Sequence, residues 1–175
     1  MKLTFIINTN EEPTIDRCLN FIRASYPDDN IITIPDIDFL KNIINGGAWT
    51  LRYLNAFMAT DGDILIRMDP DSLMLRPFAF IPETEYFGMM FADQYIHGGC
   101  KGYSRSYVQR IIDSELLLLE KYKGNEYKCG NTNLVSCDLV CMDIAITLNA
   151  TISNWTEVSS MPYCEHFAVT HGHKT

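Results

Sequence analysis

Positive charge is scarce in this sequence: 14 Lys and Arg stand against 22 Asp and Glu, a formal net charge of −8. That balance argues against general binding to a phosphate backbone. The scattered Tyr and Phe residues likewise lack the basic interleaving of a nucleic-acid platform. Long hydrophobic runs are missing too. The four leucines Leu116–Leu119 are as long a run as any, whereas a bilayer span needs about 20 apolar residues. The opening Met-Lys-Leu-Thr-Phe-Ile-Ile-Asn carries one positive charge and too short an apolar stretch for a signal-peptide core. It predicts a strand and a soluble, cytoplasmic protein. In that setting the sequons at Asn149 and Asn154 are chance occurrences. No two of the six cysteines form a C-x-x-C pair, so the expectation is reduced, mostly buried thiols. Repeats, low-complexity tracts and linkers are absent as well.

What is present fits one ordinary core. At 175 residues, 47% hydrophobic and 21% charged, the chain predicts a single globular domain over residues 1–175. Leu3–Ile7 reads as a strand. Ile15, Cys18, Leu19 and Ile22 then follow with helical spacing, and Ile31–Ile34 is a second strand stopped by Pro35. This β-α-β opening predicts an α/β fold with a mixed, mostly parallel central sheet flanked by helices. A helical segment is expected over 36–45, and a break at Gly46-Gly47. Trp49–Thr60 reads as a helix with Leu51, Leu54 and Met58 inward. Ile64-Leu65-Ile66 reads as a central strand and Tyr86–Phe91 as another strand. A long helix is expected from Ser104, its N-cap, to Tyr122, and a last one over 136–148. The end, 167–175, reads as a short strand and polar residues.

Three Asp-x-Asp pairs occur among 13 aspartates, and about one is expected by chance. Asp36 and Asp38 sit at a helix start, where acids suit the dipole. Asp61 and Asp63 flank a glycine in a turn. Asp69 and Asp71 differ, because they follow the carboxyl end of an apolar strand, where open α/β sheets bind ligands. Two carboxylates on a Pro-stiffened turn suit Mg²⁺ or Mn²⁺, which fill their shells with phosphate oxygens and water. A solvated acidic turn is the bland alternative. Of only four histidines, His171 and His173 share the segment His171-Gly172-His173-Lys174. An imidazole added to an Asp/Asp site favours Mn²⁺, and a lysine beside it neutralises phosphate. His97 and His166 read as structural.

Taken together, these residues resemble the GT-A class of nucleotide-sugar-dependent glycosyltransferases. The resemblance rests on Asn8-Thr9-Asn10-Glu11-Glu12-Pro13, the segment Gly47–Leu54, Asp69-Pro70-Asp71, Gly98–Arg105 and the closing His-x-His-Lys, in that order over residues 1–175. It implies a single-domain Rossmann-like fold and sugar transfer from a nucleoside-diphosphate sugar to an acceptor hydroxyl. It further implies that Asn8 and Thr9 face the base and ribose, and that Arg52 contacts the donor phosphate or sugar. Asp69 would face ribose and metal, and Asp71 would bind the metal directly. His171 or His173 would complete the metal site, with Lys174 on the diphosphate. In an inverting enzyme Asp138, at the start of a helix, would be the general base, with Asp143 second; a retaining enzyme needs no such base. The pair Gly98-Gly99 would let backbone approach a sugar or phosphate, or else form a plain turn.

Two other readings compete. Asp69-Pro70-Asp71-Ser72-Leu73 is superficially similar to the motif of haloacid-dehalogenase-like phosphohydrolases, but that motif normally ends the first strand. A non-catalytic nucleotide- or sugar-binding module is the third.

Overall fold

The computed structural model describes residues 1–9, 12–35, 46–122, 137–159 and 166–172. A six-stranded sheet runs in the order β2-β1-β3-β6-β5-β7: β1 is Leu3–Thr9, β2 Asn30–Pro35, β3 Ile64–Met68, β5 Tyr86–Phe91, β6 Tyr95–Ser104 and β7 Ile152–Asn154. β1 pairs in parallel with β2 and β3, and β7 in parallel with β5, while β6 runs antiparallel to both β3 and β5. The sheet is therefore mixed with a parallel majority, as the β-α-β opening predicts. A second sheet joins three two-residue strands in the order β4-β9-β8: Leu73–Met74, Val169–Thr170 and Val158–Ser159.

Among the described residues, four helices flank the main sheet. Alternation along the strands sends apolar side chains to both faces, and each face has its own core. On one face Ile6, Leu65, Tyr86 and Tyr103 pack against α2 (Gly46–Met58), α3 (Arg105–Asp113) and α4 (Cys137–Thr147). On the other, Phe5, Ile7, Ile66, Met68 and Phe87 meet α1 (Ile15–Ser25) and the small sheet, with Trp155 fully buried among them.

Several expectations are corrected. Gly46 and Gly47 open α2 instead of breaking the chain. That helix buries Trp49, Thr50, Tyr53, Leu54 and Phe57, so its inner face is rotated from the expected one, with Leu51 and Met58 half-buried. The Ser104 N-cap holds, since its hydroxyl accepts from the Tyr107 N–H at 3.3 Å. The helix it starts stops at Asp113, however. Glu115 adopts φ 53°, and only 3₁₀ turns follow, at Leu116–Leu118 and Glu120–Tyr122. Gly98 and Gly99 lie within β6 and do not form the plain turn; there the glycines serve close approach, which outweighs their low strand propensity. The four described cysteines, Cys18, Cys100, Cys137 and Cys141, are free, the first two and Cys141 buried. The expected 36–45 helix with Asp36 and Asp38, and also Cys129 and Cys164, lie outside the described residues.

Candidate active site

At the carboxyl edge of β3 the chain makes a tight turn. The Ser72 N–H donates to the Asp69 carbonyl at 3.0 Å, with Pro70 at the turn's second position, where its fixed φ belongs. Neighbouring β6 pins the turn. The Gly99 carbonyl accepts from the Asp69 N–H at 3.0 Å and from the Ser72 hydroxyl at 2.7 Å. Immediately after the turn, β4 pairs with β9, Leu73 opposite Thr170. This pairing delivers His171, the next residue of the chain, to the two aspartates. Its Nε2 lies 3.1 Å from Asp69 Oδ2 and 3.1 Å from Asp71 Oδ1.

Asp69, Asp71 and His171 thus offer one ligand atom each, all within 4.8 Å of one another. Two hard oxygens and one imidazole nitrogen suit Mn²⁺ well and Mg²⁺ acceptably. Burial works against charge on His171, but bonds to Asp69 and then Asp71 prevail and hold its imidazole up at about 9. Burial alone would raise Asp69; the Arg67 guanidinium and then His171 reverse this and hold it down to about 2.

Two buried cations brace this edge. Arg67 on β3 and Lys101 on β6 are directly opposite each other in the antiparallel ladder. Arg67 bonds Asp69 Oδ1 at 2.5 Å, donates to the Gly98 carbonyl and lies 4.9 Å over the Trp49 ring. Lys101 has no exposed side-chain surface and donates to Asp138 Oδ1 at 2.8 Å. Burial pushes its ammonium down, yet Asp138 outweighs that and holds it well above the usual lysine value. Around it lie Cys141 Sγ at 3.7 Å and the hydroxyls of Tyr53 and Tyr103, 2.9 Å apart and each 3.3 Å from the same sulfur.

The two glycines between these cations and the turn make room for side chains. A Cβ on Gly98 would sit 2.9 Å from the Asp138 carboxylate oxygens, and one on Gly99 would sit 2.7 Å from the His171 ring. Backbone approach is the expected use, but its observed beneficiaries are Asp138 and His171. Asp138 lies in the first turn of α4, with its carboxylate against Gly98 of β6.

The other expected residues are distributed as follows. Asn8 lies beside Asp69, one residue past the Ile7–Met68 pair of β1 and β3. It is 5% exposed, and neither amide atom has a hydrogen-bond partner among the described residues. Thr9 follows it, its hydroxyl donating to Glu12 at 2.8 Å. Arg52 is exposed on α2 and has no described bond to the aspartates or His171. Asp143 is engaged with Lys121 at 2.8 Å and with the Tyr122 hydroxyl, a structural use. Asp61 bonds Lys2 and Asn30, and Asp63 the Lys2 N–H, so both are turn residues. His173 and Lys174 lie outside the described residues. His97, read from the sequence as structural, has its ring centroid 5.0 Å from that of His171. Arg67 and Lys101 escaped the sequence reading. The one available signal was a lone charge in the apolar strand Ile64–Met68.

No protein-family model matches the sequence, and no curated protein matches it. Solved structures do resemble it. A glycosyltransferase involved in glycosylating the major capsid protein of PBCV-1 superposes with a TM-score of 0.63 at 8% identity, covering 100% of this chain and 96% of that one. The galactosyltransferase LgtC, solved with donor and acceptor sugar analogues, gives 0.56 at 13% identity over 98% and 86%. A Drosophila β-1,4-galactosyltransferase 7 variant, in complex with manganese, UDP-Gal and xylobiose, gives 0.55 at 10% over 99% and 72%. At these identities the likeness bears on the fold alone. The chain has the fold of GT-A glycosyltransferases, with a candidate Asp-x-Asp and histidine metal site at the carboxyl edge of its central sheet.

Proposed function

We propose that the chain is a metal-dependent glycosyltransferase, moving a sugar from a nucleoside-diphosphate sugar to an acceptor hydroxyl. The observation that carries this reading is the Asp69–Asp71–His171 group at the sheet edge of a fold shared with glycosyltransferases. Breaking the anomeric C–O bond leaves negative charge on a nucleoside diphosphate. A divalent ion held by Asp69, Asp71 and His171 would supply Lewis-acid stabilisation of that charge. Local charge fits. Asp69, Asp71 and Asp138 balance Arg67, Lys101 and protonated His171, so a dication replacing the histidine proton leaves a net positive site for a diphosphate.

The buried amide of Asn8 beside Asp69, unpartnered among the described residues, supports a nucleotide contact, with Thr9 next to it. Arg52, Lys174 and the backbone of Gly98-Gly99 complete the proposed donor contacts, and His173 remains the alternative metal ligand. Asp138, oriented by Lys101 and by its helix, is the proposed general base of an inverting reaction. We further propose that residues 1–175 act as one domain and that the protein works in the cytoplasm. The free thiols accord with that location; no helix among the described residues is long and apolar enough to cross a membrane.

Calorimetric titration with Mn²⁺ and a panel of UDP-, GDP- and CMP-sugars, with donor hydrolysis as a second readout, tests the proposal. Metal-dependent donor binding that is lost in Asp71→Ala is expected. Turnover of phosphate esters through an aspartyl-phosphate on Asp69 would refute it.

A further inference from the structure

Strands β5 and β6 outrun β3. The last β3 residue, Met68, pairs with Cys100, but β6 runs on to Tyr95, roughly 15 Å of further strand beyond the metal-binding edge. β5 accompanies it, pairing Phe91 with Tyr95. The hairpin therefore overhangs the end of the sheet where Asp69 and Asp71 sit. Along it the rings form a series. His171 contacts His97 at 5.0 Å, His97 lies 6.4 Å from Phe91, and Phe91 lies 5.5 Å from Tyr95. The series starts at the metal-site histidine and ends at a phenylalanine that is 46% exposed.

The turn that fixes this ridge is strained. Ala92 and Asp93, its two central residues, have φ of 50° and 54°, closed by the Gln94 N–H donating to the Phe91 carbonyl. Side chains other than glycine enter this region at a cost of roughly 1–2 kcal/mol each, and such strain collects at functional sites. The turn also exposes a carboxylate and a carboxamide, Asp93 and Gln94, beside the rings.

We propose that Phe91, Tyr95 and His97 form the stacking platform for the acceptor, and that the acceptor is a saccharide. The proposal rests on the transferase reading of the adjacent site. A pyranose presents an apolar C–H face and an equatorial rim of hydroxyls. The ridge offers aromatic faces flanked by the acceptors and donors of Asp93 and Gln94, which matches both. Its continuity with His171 brings a hydroxyl of the stacked sugar toward the metal-bound donor.

Saturation-transfer NMR with maltose, cellobiose, lactose and xylobiose, each with the Mn²⁺-loaded protein, tests this. The expected result is transfer to at least one sugar, weakened about tenfold in affinity by Phe91→Ala and by Tyr95→Ala and restored by Phe91→Trp. Thermal melting of each variant confirms that it is folded; Phe91 is exposed enough for the exchange to spare the core. Silence with all four sugars overturns the proposal, as does binding indifferent to both alanine variants. Displacement of the sugar by UDP alone overturns it too, because the ridge would then be holding a base. Self-association of wild type that Phe91→Ala abolishes would mark the ridge as a contact between copies and also overturns it. Wild type that cleaves donor but binds no sugar sinks the platform and leaves the transferase reading standing. Sugar bound on the ridge without cleavage of any donor does the reverse.

Discussion

Removing one member of the Lys101–Asp138 pair is expected to expose how much of the site's stability depends on charge balance. The two partners are unequally placed. Lys101 has 0% side-chain exposure, whereas Asp138 keeps 13%. Asp138→Asn leaves an ammonium with no carboxylate and no route to water, and breaking a buried pair in this way costs about 3–5 kcal/mol. Lys101→Met leaves a carboxylate that water can reach, and the expected cost is nearer 1–3 kcal/mol. The double variant Lys101→Met/Asp138→Asn removes both charges and is expected within about 1 kcal/mol of wild type. Urea unfolding at neutral pH, followed by circular dichroism, gives the full cycle. Its coupling energy is expected to exceed about 2 kcal/mol. The exposed Lys2–Asp61 pair has the same 2.8 Å separation, and its removal is expected to leave no resolvable change, since solvent decides the outcome at equal distance. Additivity of the cycle within about 0.5 kcal/mol, or an Asp138→Asn variant as stable as wild type, would refute the reasoning.

Asp71→Ala is expected to weaken Mn²⁺ binding at least tenfold with little change in melting temperature. Asp69→Ala has the same metal defect, but it also strands the buried Arg67 guanidinium and is expected to lose about 3 kcal/mol in the same urea assay. Gly99→Ala places a methyl 2.7 Å from the His171 ring. The ring must shift, so Mn²⁺ affinity by calorimetry is expected to fall at least tenfold at a stability cost of about 1–3 kcal/mol. Protonation of His171 makes both metal binding and stability pH-dependent. Its value rises from an ordinary 6.5 to about 9 in the fold. Its contribution to the metal-free protein is thus complete below about 6.5 and lost as pH rises through about 9. At neutral pH each Mn²⁺ is expected to expel about one proton, seen as a dependence of binding heat on the buffer's ionisation enthalpy; equal heats in all buffers would contradict this.

The legibility of the site varied with the kind of signal. Asp69, Asp71 and His171 could be found because each lies at the end of a recognisable strand and the chemistry needs those residue types. The β-α-β start was equally plain from alternating period. β6 was hidden, since Gly98, Gly99 and Gly102 lower its strand propensity and only the three-dimensional neighbours Asp138, His171 and Phe87 explain them. Nothing in the segment Gly98–Arg105 marks Lys101 as buried; its burial depends on Asp138, 37 residues away. Local pattern contains no such information. His97 was set aside because nothing in its own segment points to residue 171, and only the β4–β9 pairing brings the two rings together.

That pairing has a consequence for how the protein assembles. β4 and β9 are two residues each, β9 is held on its other side by β8, and the β4–β9 contact joins segments about a hundred residues apart, a closure that is costly in chain entropy. A cation gripping Asp69, Asp71 and His171 crosslinks the same two segments. It would act as a clasp between those two segments, slowing amide exchange at Val169 and Thr170 when bound. Catalytic competence and closure of the C-terminal segment would then be a single event.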